Sequence, residues 1–416
     1  MNPTINAQRL WDDIIATARF GGTEKGGIRR LTLAPEDVAA RDWLRVQCKA
    51  LGCTMTVDEL GNMFAVRPGR NNALLPVAIC SHLDTQPTGG KFDGPLGVLA
   101  GLEAMRTLNE QGVMTEAPLM LVNWTNEEGS RFSPAMLSSG AYAGVFDRDY
   151  ANSRVDRSGI RFDDALAESG YKGPAPIGSV RFGAMFELHI EQGPILEDEG
   201  IPIGVVQGAQ AVRWYEVTFE GRSAHTGTTP MHLRKNALLG AARVIEAVND
   251  LALAHRPQAV ATVGMIEVRP NSRNVIPGTA FFSVDLRHPE DAVLARMEAR
   301  FHDNLEQIGK ALDLRTKVER VWDSPAVRFD PGCIAAVREG AAAAGLATRD
   351  IISGAGHDSV YVARVVPTTM IFVPCVGGLS HNEAEYTSPE DCAAGAQVLL
   401  NAVLAYDRVR AGLNGA

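Results

Sequence analysis

Residues 77–97 read VAICSHLDTQPTGGKFDGPLG and set an imidazole and two carboxylates around a short apolar run. His82 and Asp84 follow that run directly, while Asp93 sits on a glycine-bounded loop that can swing back to the same point. Asp84 is placed to accept the second ring N–H of His82, which would fix the tautomer that binds a metal. Three more apolar runs end in similar groups. PLMLVNW at 118–124 leads into Glu127 and Glu128, MFELHI at 185–190 carries His189, and the run at 368–373 leads through PCVGGLS to His381. Taken singly, each reads as a solvated loop tip or a satisfied core histidine. Four of them in one chain describe a metal site. Mixed imidazole and carboxylate ligation suits zinc, manganese, cobalt or nickel. If Asp93 bridges two ions, the five ligands His82, Asp93, Glu128, His189 and His381 give each ion three protein ligands and room for a shared water. Such a pair activates water and polarises a carbonyl. Glu127 is left over as a proton shuttle.

The elements that carry these groups form an α/β pattern. Helices are expected over 5–19, 34–51, 97–111 and 333–344, and strands over 54–57, 63–66, 118–124, 185–190 and 368–373. The near-continuous apolar strands point to a sheet covered on both faces. An imidazole or carboxylate at the carboxyl end of such a strand faces the crevice where open α/β sheets bind ligands. Ser388-Pro-Glu-Asp opens the last helix, with serine as N-cap and acids in the first turn. Residues 213–321 differ in character. Strands at 214–219, 260–268, 279–286 and 314–321 alternate with helices at 230–255 and 289–308, the β-α-β-β-α-β order of the split βαβ, ferredoxin-like module. The α/β pattern resumes afterwards. The expected organisation is therefore a catalytic metal-binding domain in two parts, 1–212 and 326–416, with an inserted domain at 213–325.

Composition is ordinary for a soluble globular protein, with 45% hydrophobic and 21% charged residues in a chain of 416. A net charge of −9 argues against a nucleic-acid partner. No apolar stretch is long enough to span a membrane. The first residues, MNPTINAQRLWDDI, lack a basic start followed by an apolar core, so no signal peptide is expected. The six cysteines (Cys48, Cys53, Cys80, Cys333, Cys375 and Cys392) form no CxxC pair. Reduced thiols in a cytoplasmic enzyme are the expectation.

Six motifs together carry a resemblance. They are HLD at 82–84, the Asp93 of FDG, EEG at 127–129, HIEQGP at 189–194, SAHTGTTPM at 223–231 and LSHNEAE at 379–385. The chain resembles, over essentially its whole length, the metal-dependent amidohydrolases related to aminoacylase and carboxypeptidase G2. More narrowly it resembles their hydantoinase/carbamoylase branch, which includes N-carbamoyl-L-amino-acid hydrolase, β-ureidopropionase and allantoate amidohydrolase. Typical peptidases of the wider family carry an aspartate where this chain has His189.

The resemblance implies a dinuclear metallohydrolase domain with an inserted lid and dimerisation domain. It implies two divalent ions per subunit (Zn, Mn, Co or Ni), one held by His82, Asp93 and His189 and the other by Asp93, Glu128 and His381. Glu127 would be general base and then general acid, with Asp84 orienting His82. Gln192, His225, Asn274 and Arg287 would contact the substrate. Arg287 and Asn274 would grip its carboxylate, and His225, reaching across a homodimer, would stabilise the oxyanion. His357 in GAGHDS falls near the site without a defined role. The implied reaction is hydrolysis of an N-carbamoyl amino acid to the amino acid, CO2 and ammonia. Rival readings are an allantoate amidohydrolase, a dipeptidase or aminoacylase, and an inactive metal-stabilised binding protein. The intact Glu127 argues against the last, because a structural site needs no spare carboxylate.

Overall fold

A computed structural model describes residues 3–410 and 412. The chain divides into two compact units. One consists of the segments up to Gly208 and from Arg328 onward, and the other is Ala209–Val327.

The first unit is built on a mixed sheet. Its strands run in the order Thr54–Val57, Met63–Arg67, Leu119–Trp124, Val77–His82, Ala184–Ile190, Thr368–Val373 and Ile203–Ala209. From Leu119–Trp124 to Thr368–Val373 the four central strands are parallel. The strands on either side of them pair antiparallel. Every residue of the four central strands is buried, as expected where helices cover both faces. Ile79, Leu121, Leu188 and Ile371 are fully enclosed, and each such side chain contributes roughly 1.5–3 kcal/mol. Helix Pro95–Glu110 follows the metal-like loop directly and buries nearly all of its residues from Pro95 to Leu108. Helices Pro331–Ala343 and Pro389–Arg410 pack on one another and on Thr368–Val373. Because the central strands are parallel, their carboxyl ends share one edge of the sheet, and this brings the four ligand-bearing segments together.

The second unit is an antiparallel sheet in the order Ile266–Arg269, Thr279–His288, Ala211–Glu220 and Arg315–Ser324, with Val260–Thr262 also on Thr279–His288. Its core joins Tyr215, Val217, Phe219, Val284 and Leu286 of the sheet to Val244 and Val248 of helix Ala237–Leu253 and to Met297, Phe301 and Leu305 of helix Asp291–Ala311. Two helices on this five-stranded sheet, with Val260–Thr262 and Ile266–Arg269 both lying on Thr279–His288, make a split βαβ arrangement.

Several boundaries differ from the sequence expectation. The long helix starts at Ala237, not at 230, because Asn236 caps it by accepting from the Leu239 N–H. Residues 231–233 form only a short 3-10 turn. The strand expected over 260–268 is broken. Thr262 pairs with Asp285 and Ile266 with Phe282, so four steps on one strand oppose three on the other, the signature of a bulge. The strands Ile203–Ala209 and Thr348–Ser353 and the short helices Leu137–Tyr142, Arg148–Ser153 and Phe162–Ser169 were not foreseen. No helix among the described residues is long and apolar enough to cross a membrane.

Candidate metal centre

His82 is the last residue of Val77–His82, and His189 is the penultimate residue of Ala184–Ile190. Glu127 and Glu128 follow Leu119–Trp124 through Asn126, whose φ is 62°. His381 follows Thr368–Val373 and has φ 55°, and Gln192 beyond His189 has φ 58°. Left-handed conformations at non-glycine residues are costly and cluster where surrounding structure enforces them. Three loops at this sheet edge each contain one. Gly94, next to Asp93, has φ 83°, and a Cβ there would stand 2.4 Å from the His82 ring. The glycine therefore supplies both the turn and the space for the imidazole.

The chain brings Asp93 between three imidazoles. Asp93 Oδ1 lies 3.0 Å from His189 Nε2 and 3.6 Å from His82 Nε2. Its other oxygen, Oδ2, lies 3.4 Å from His381 Nε2, which is 3.5 Å from Glu128 Oε2. Two groups of mutually close donor atoms result: His82, Asp93 and His189, and Asp93, Glu128 and His381. Glu127 Oε2 stands 3.6 Å from His82 Nε2. Glu128 is held by the N–H and the side-chain amide of Gln86, at 3.1 and 2.6 Å.

One expectation is overturned. The Asp84 carboxylate does not receive the second N–H of His82. That role falls to the main-chain carbonyl of Asp84, 2.9 Å from His82 Nδ1. A residue two positions along an irregular turn offers its carbonyl more readily than its side chain. The fully buried Asp84 carboxylate instead accepts from the Glu127 and Glu128 N–H groups, both at 3.3 Å, and from the Thr32 hydroxyl at 2.8 Å. It thus fixes the Glu127-Glu128 turn.

The donors fit divalent ions. His82 and His189 each turn Nδ1 to a carbonyl oxygen, Asp84 O and Ile190 O. Both Nε2 atoms are thereby directed at Asp93. His189 Nε2 is buried and makes no hydrogen bond although Asp93 Oδ1 is 3.0 Å away. With Nδ1–H given to Ile190 O, Nε2 carries a lone pair, which a cation can accept and a carboxylate cannot. Electrostatics agree. Burial pushes the Glu127 carboxyl well above the usual range, with Asp358 and Glu128 adding to it and His82 opposing. Burial and then Asp93 push Glu128 up to about 7. Burial also opposes the Asp93 charge, but His189, His381 and His82 hold that carboxyl well below its ordinary value. A dication takes the place of the protons that crowded buried carboxylates would otherwise take up.

The remaining residues separate into two groups. Gln192 stands in the first unit, and its amide donates to Asp93 Oδ2 at 2.7 Å and to Ser380 Oγ at 3.1 Å. Its Oε1 is buried without a partner. His357 packs edge-on against His189 with centroids 4.6 Å apart, and its Nε2 meets Ser353 Oγ at 2.9 Å. Burial and the neighbouring His189 keep it neutral. His225, Asn274 and Arg287 belong to the second unit. His225 and Asn274 are exposed; His225 pairs with Val275 in one small strand pair, and Asn274, in the turn just before it, takes the Thr226 N–H at its carbonyl. Arg287 is half-buried and ion-paired with Asp285 at 2.6 Å. Sequence reasoning missed Thr32, Gln86, Ser380 and Glu385, which hold the ligands from outside.

Comparison with known proteins agrees with this geometry. The family model for peptidase family M20/M25/M40 matches residues 78–405. An N-carbamoyl-L-amino-acid amidohydrolase from Rhizobium meliloti is 49% identical over 403 residues, 97% of each chain. An allantoate amidohydrolase from Bacillus subtilis (strain 168) is 34% identical over 94% of this chain and 95% of its own. The crystal structure of an amidase of the hydantoinase/carbamoylase family from Burkholderia multivorans matches with a TM-score of 0.94 at 52% identity, covering 97% of this chain and 98% of that one. A match over most of the chain, in a fold that gathers histidines and carboxylates at one sheet edge, establishes that the protein belongs to peptidase family M20/M25/M40.

Proposed function

We propose that this protein hydrolyses the carbamoyl C–N bond of N-carbamoyl amino acids, giving the amino acid, CO2 and ammonia. The observation that carries the reading is Asp93 standing between two imidazole–carboxylate groups with Glu127 beside them, in a chain so similar to an N-carbamoyl-L-amino-acid amidohydrolase. The proposed cofactors are two divalent ions per subunit, zinc, manganese, cobalt or nickel. His82, Asp93 and His189 would hold one, and Asp93, Glu128 and His381 the other. Bound there, such ions polarise a carbonyl and ease loss of a proton from water.

The chain's own groups do the rest. Glu127 takes the proton of the attacking water and returns it to the departing nitrogen, so it ends the cycle as it began. Burial, which favours its protonated form, suits the second half of that task. Asp84 contributes through the main chain, by holding the Glu127-Glu128 turn. The unpartnered Gln192 Oε1 is an acceptor suited to a ureido N–H. Arg287 and Asn274 would bind the substrate carboxylate, with Arg287 adding it to its existing partner Asp285. His225 would stabilise the oxyanion.

We assign the catalytic role to 1–212 and 326–416 and a lid and dimerisation role to 213–325. Helix Ala237–Leu253 supports a homodimer. It buries Ala241, Val244 and Val248 on its own unit, yet Leu238, Leu239, Ile245 and Leu253 on its other side are exposed. A helix apolar on two faces needs two partners, and a second copy of the chain is the proposed one. Six unpaired cysteines, most of them buried, support a cytoplasmic setting.

The test is a hydrolysis panel of N-carbamoyl-L-amino acids, N-carbamoyl-β-alanine, allantoate and Ala-Ala, each with added Mn, Co, Ni or Zn. The highest kcat/KM is expected on an N-carbamoyl amino acid. Preference for allantoate would move the assignment to the activity of the Bacillus subtilis relative, and turnover of the dipeptide alone would refute a carbamoylase.

A further inference from the structure

Glu385 is 4% exposed, and the mechanism above does not use it. Its carboxylate spans two loops that leave different strands of the sheet. Oε1 accepts the main-chain N–H of Phe92 at 3.1 Å and of Asp93 at 3.0 Å. Oε2 faces the Ser380 hydroxyl at 2.9 Å, and the same hydroxyl lies 3.0 Å from Asp93 Oδ2. Gln192 completes the set by donating to that same Asp93 oxygen. Glu385 therefore holds Asp93 at its main-chain N–H, and the Ser380 hydroxyl, whose single proton serves one acceptor at a time, stands between the two carboxylates. The segment carrying His381 is tied to the segment carrying Asp93 by one side chain. Gly90 makes room for it, since a Cβ there would stand 2.1 Å from Glu385 Oε1.

We propose that Glu385 is a positioning residue that fixes Asp93 between the two ligand groups and so couples the two metal positions. A carboxylate that must serve two ions needs both oxygens aimed at once. A rotation about its own side-chain bonds would satisfy one ion at the expense of the other. The two main-chain N–H bonds to Glu385 fix the backbone that carries Asp93, and Gln192 and Ser380 at Oδ2 restrain the side-chain rotation before any ion arrives. The proposal rests on the reading of Asp93 as a shared ligand.

The experiment uses the full chain dialysed against graded Co(II), with bound metal measured by mass spectrometry and geometry by visible d–d absorption. Wild type should take two equivalents. A wild-type limit of one or none would remove the shared-ligand reading itself, and with it this proposal, before any variant is made. Glu385→Gln keeps an acceptor for both N–H groups and an amide that can donate to Ser380, so it should bind Co(II) like wild type. Glu385→Ala should lose about 10- to 100-fold in Co(II) affinity, the usual cost of removing a partner of a metal ligand, and its d–d band should change. Wild-type affinity and band in Glu385→Ala would overturn the proposal, as would a glutamine variant as weak as the alanine one. If Glu385→Ala does not fold, Gly90→Ala decides. It leaves Glu385 in the chain but displaces its carboxylate, so it should show the same loss, and unchanged Co(II) binding would refute the coupling.

Discussion

The two units treat their polar side chains in opposite ways. The first encloses His82, Asp84, Asp93, Glu127, Glu187, His189, His357, Asp358 and Glu385, none more than 6% exposed. The second leaves His225 and Asn274 in solvent and Arg287 half-buried, and it exposes aliphatic side chains along helix Ala237–Leu253. Burying ionisable groups is costly unless each is paired, and in the first unit most of them are, Asp358 being an exception whose carboxyl oxygens are buried without a hydrogen-bond partner and whose protonated form burial favours. Carbonyls orient His82 and His189, and the side chains of Gln86, Glu385 and Gln192 hold Glu128 and Asp93, while His381 stays half exposed. Of the groups proposed to touch substrate in the second unit, His225 ends a two-residue strand, Asn274 lies in the turn before its partner strand, and Arg287 lies on Thr279–His288 paired with Asp285. The contrast teaches a division of labour. On the proposed function, the chemistry would be preorganised in one unit, while recognition would fall to more exposed groups of the other, completed by substrate and a second subunit.

The largest expected effect tests the preorganised side. Glu127→Gln removes a proton carrier but neither group of clustered donors, so metal content should stay near wild type while kcat falls by about 10²- to 10⁴-fold. Loss of a full metal equivalent in this variant would mean that Glu127 is a ligand and the proposed split is wrong. Next comes the recognition side. Arg287→Lys keeps the charge but loses the planar fork, at a cost of roughly 2–4 kcal/mol in kcat/KM. The defect should nearly vanish on a carboxamide analogue of the substrate. An equal defect on acid and amide would take Arg287 out of carboxylate binding.

A smaller effect tests the corrected role of Asp84. Asp84→Asn keeps the main-chain carbonyl that meets His82 but offers one fewer acceptor to the Glu127-Glu128 turn. The unsatisfied buried N–H should cost about 1–3 kcal/mol, visible in thermal stability and kcat, with Co(II) affinity at the His82 position close to wild type. A selective loss of that metal would restore the carboxylate as the partner of His82.

The candidate ligands His82, Glu128 and His189 were legible because each ends or closely follows a contiguous apolar strand, and parallel strands send their carboxyl ends to one edge, while Asp93 and His381 return to it on longer loops. The contact from His82 to Asp84 was legible only to the residue, since a carbonyl and a carboxylate of one residue share one letter. Glu385 lies inside a motif singled out for His381, but its partners Phe92 and Asp93 are far away in the chain, and hydrogen bonds to main-chain N–H groups leave no mark on the partner's identity. The strand Ile203–Ala209 escaped because Gly204 and Gly208 dilute its apolar pattern. The helix expected from 230 starts at Ala237 because Asn236 is its cap.

The smallest expected effect bears on whether the exposed side of the comparison is completed by a second chain. In the proposed homodimer, His225 of one subunit serves the metal centre of the other. Glu127→Ala and His225→Ala, each inactive alone, are co-expressed with different tags. If His225 acts in trans, a mixed dimer has one intact site, built from the Glu127 of one chain and the His225 of the other, while its second site carries both lesions. Random pairing makes about half of the dimers mixed, so about a quarter of all sites recover, and half of those in purified mixed dimers. If His225 acts within its own chain, every site of the mixed dimer carries one lesion and nothing recovers. Mixed dimers that fold and bind metal but show no activity would therefore refute the trans arrangement, whereas half of wild-type kcat at unchanged KM would place the recognition group of one chain at the chemistry of the other.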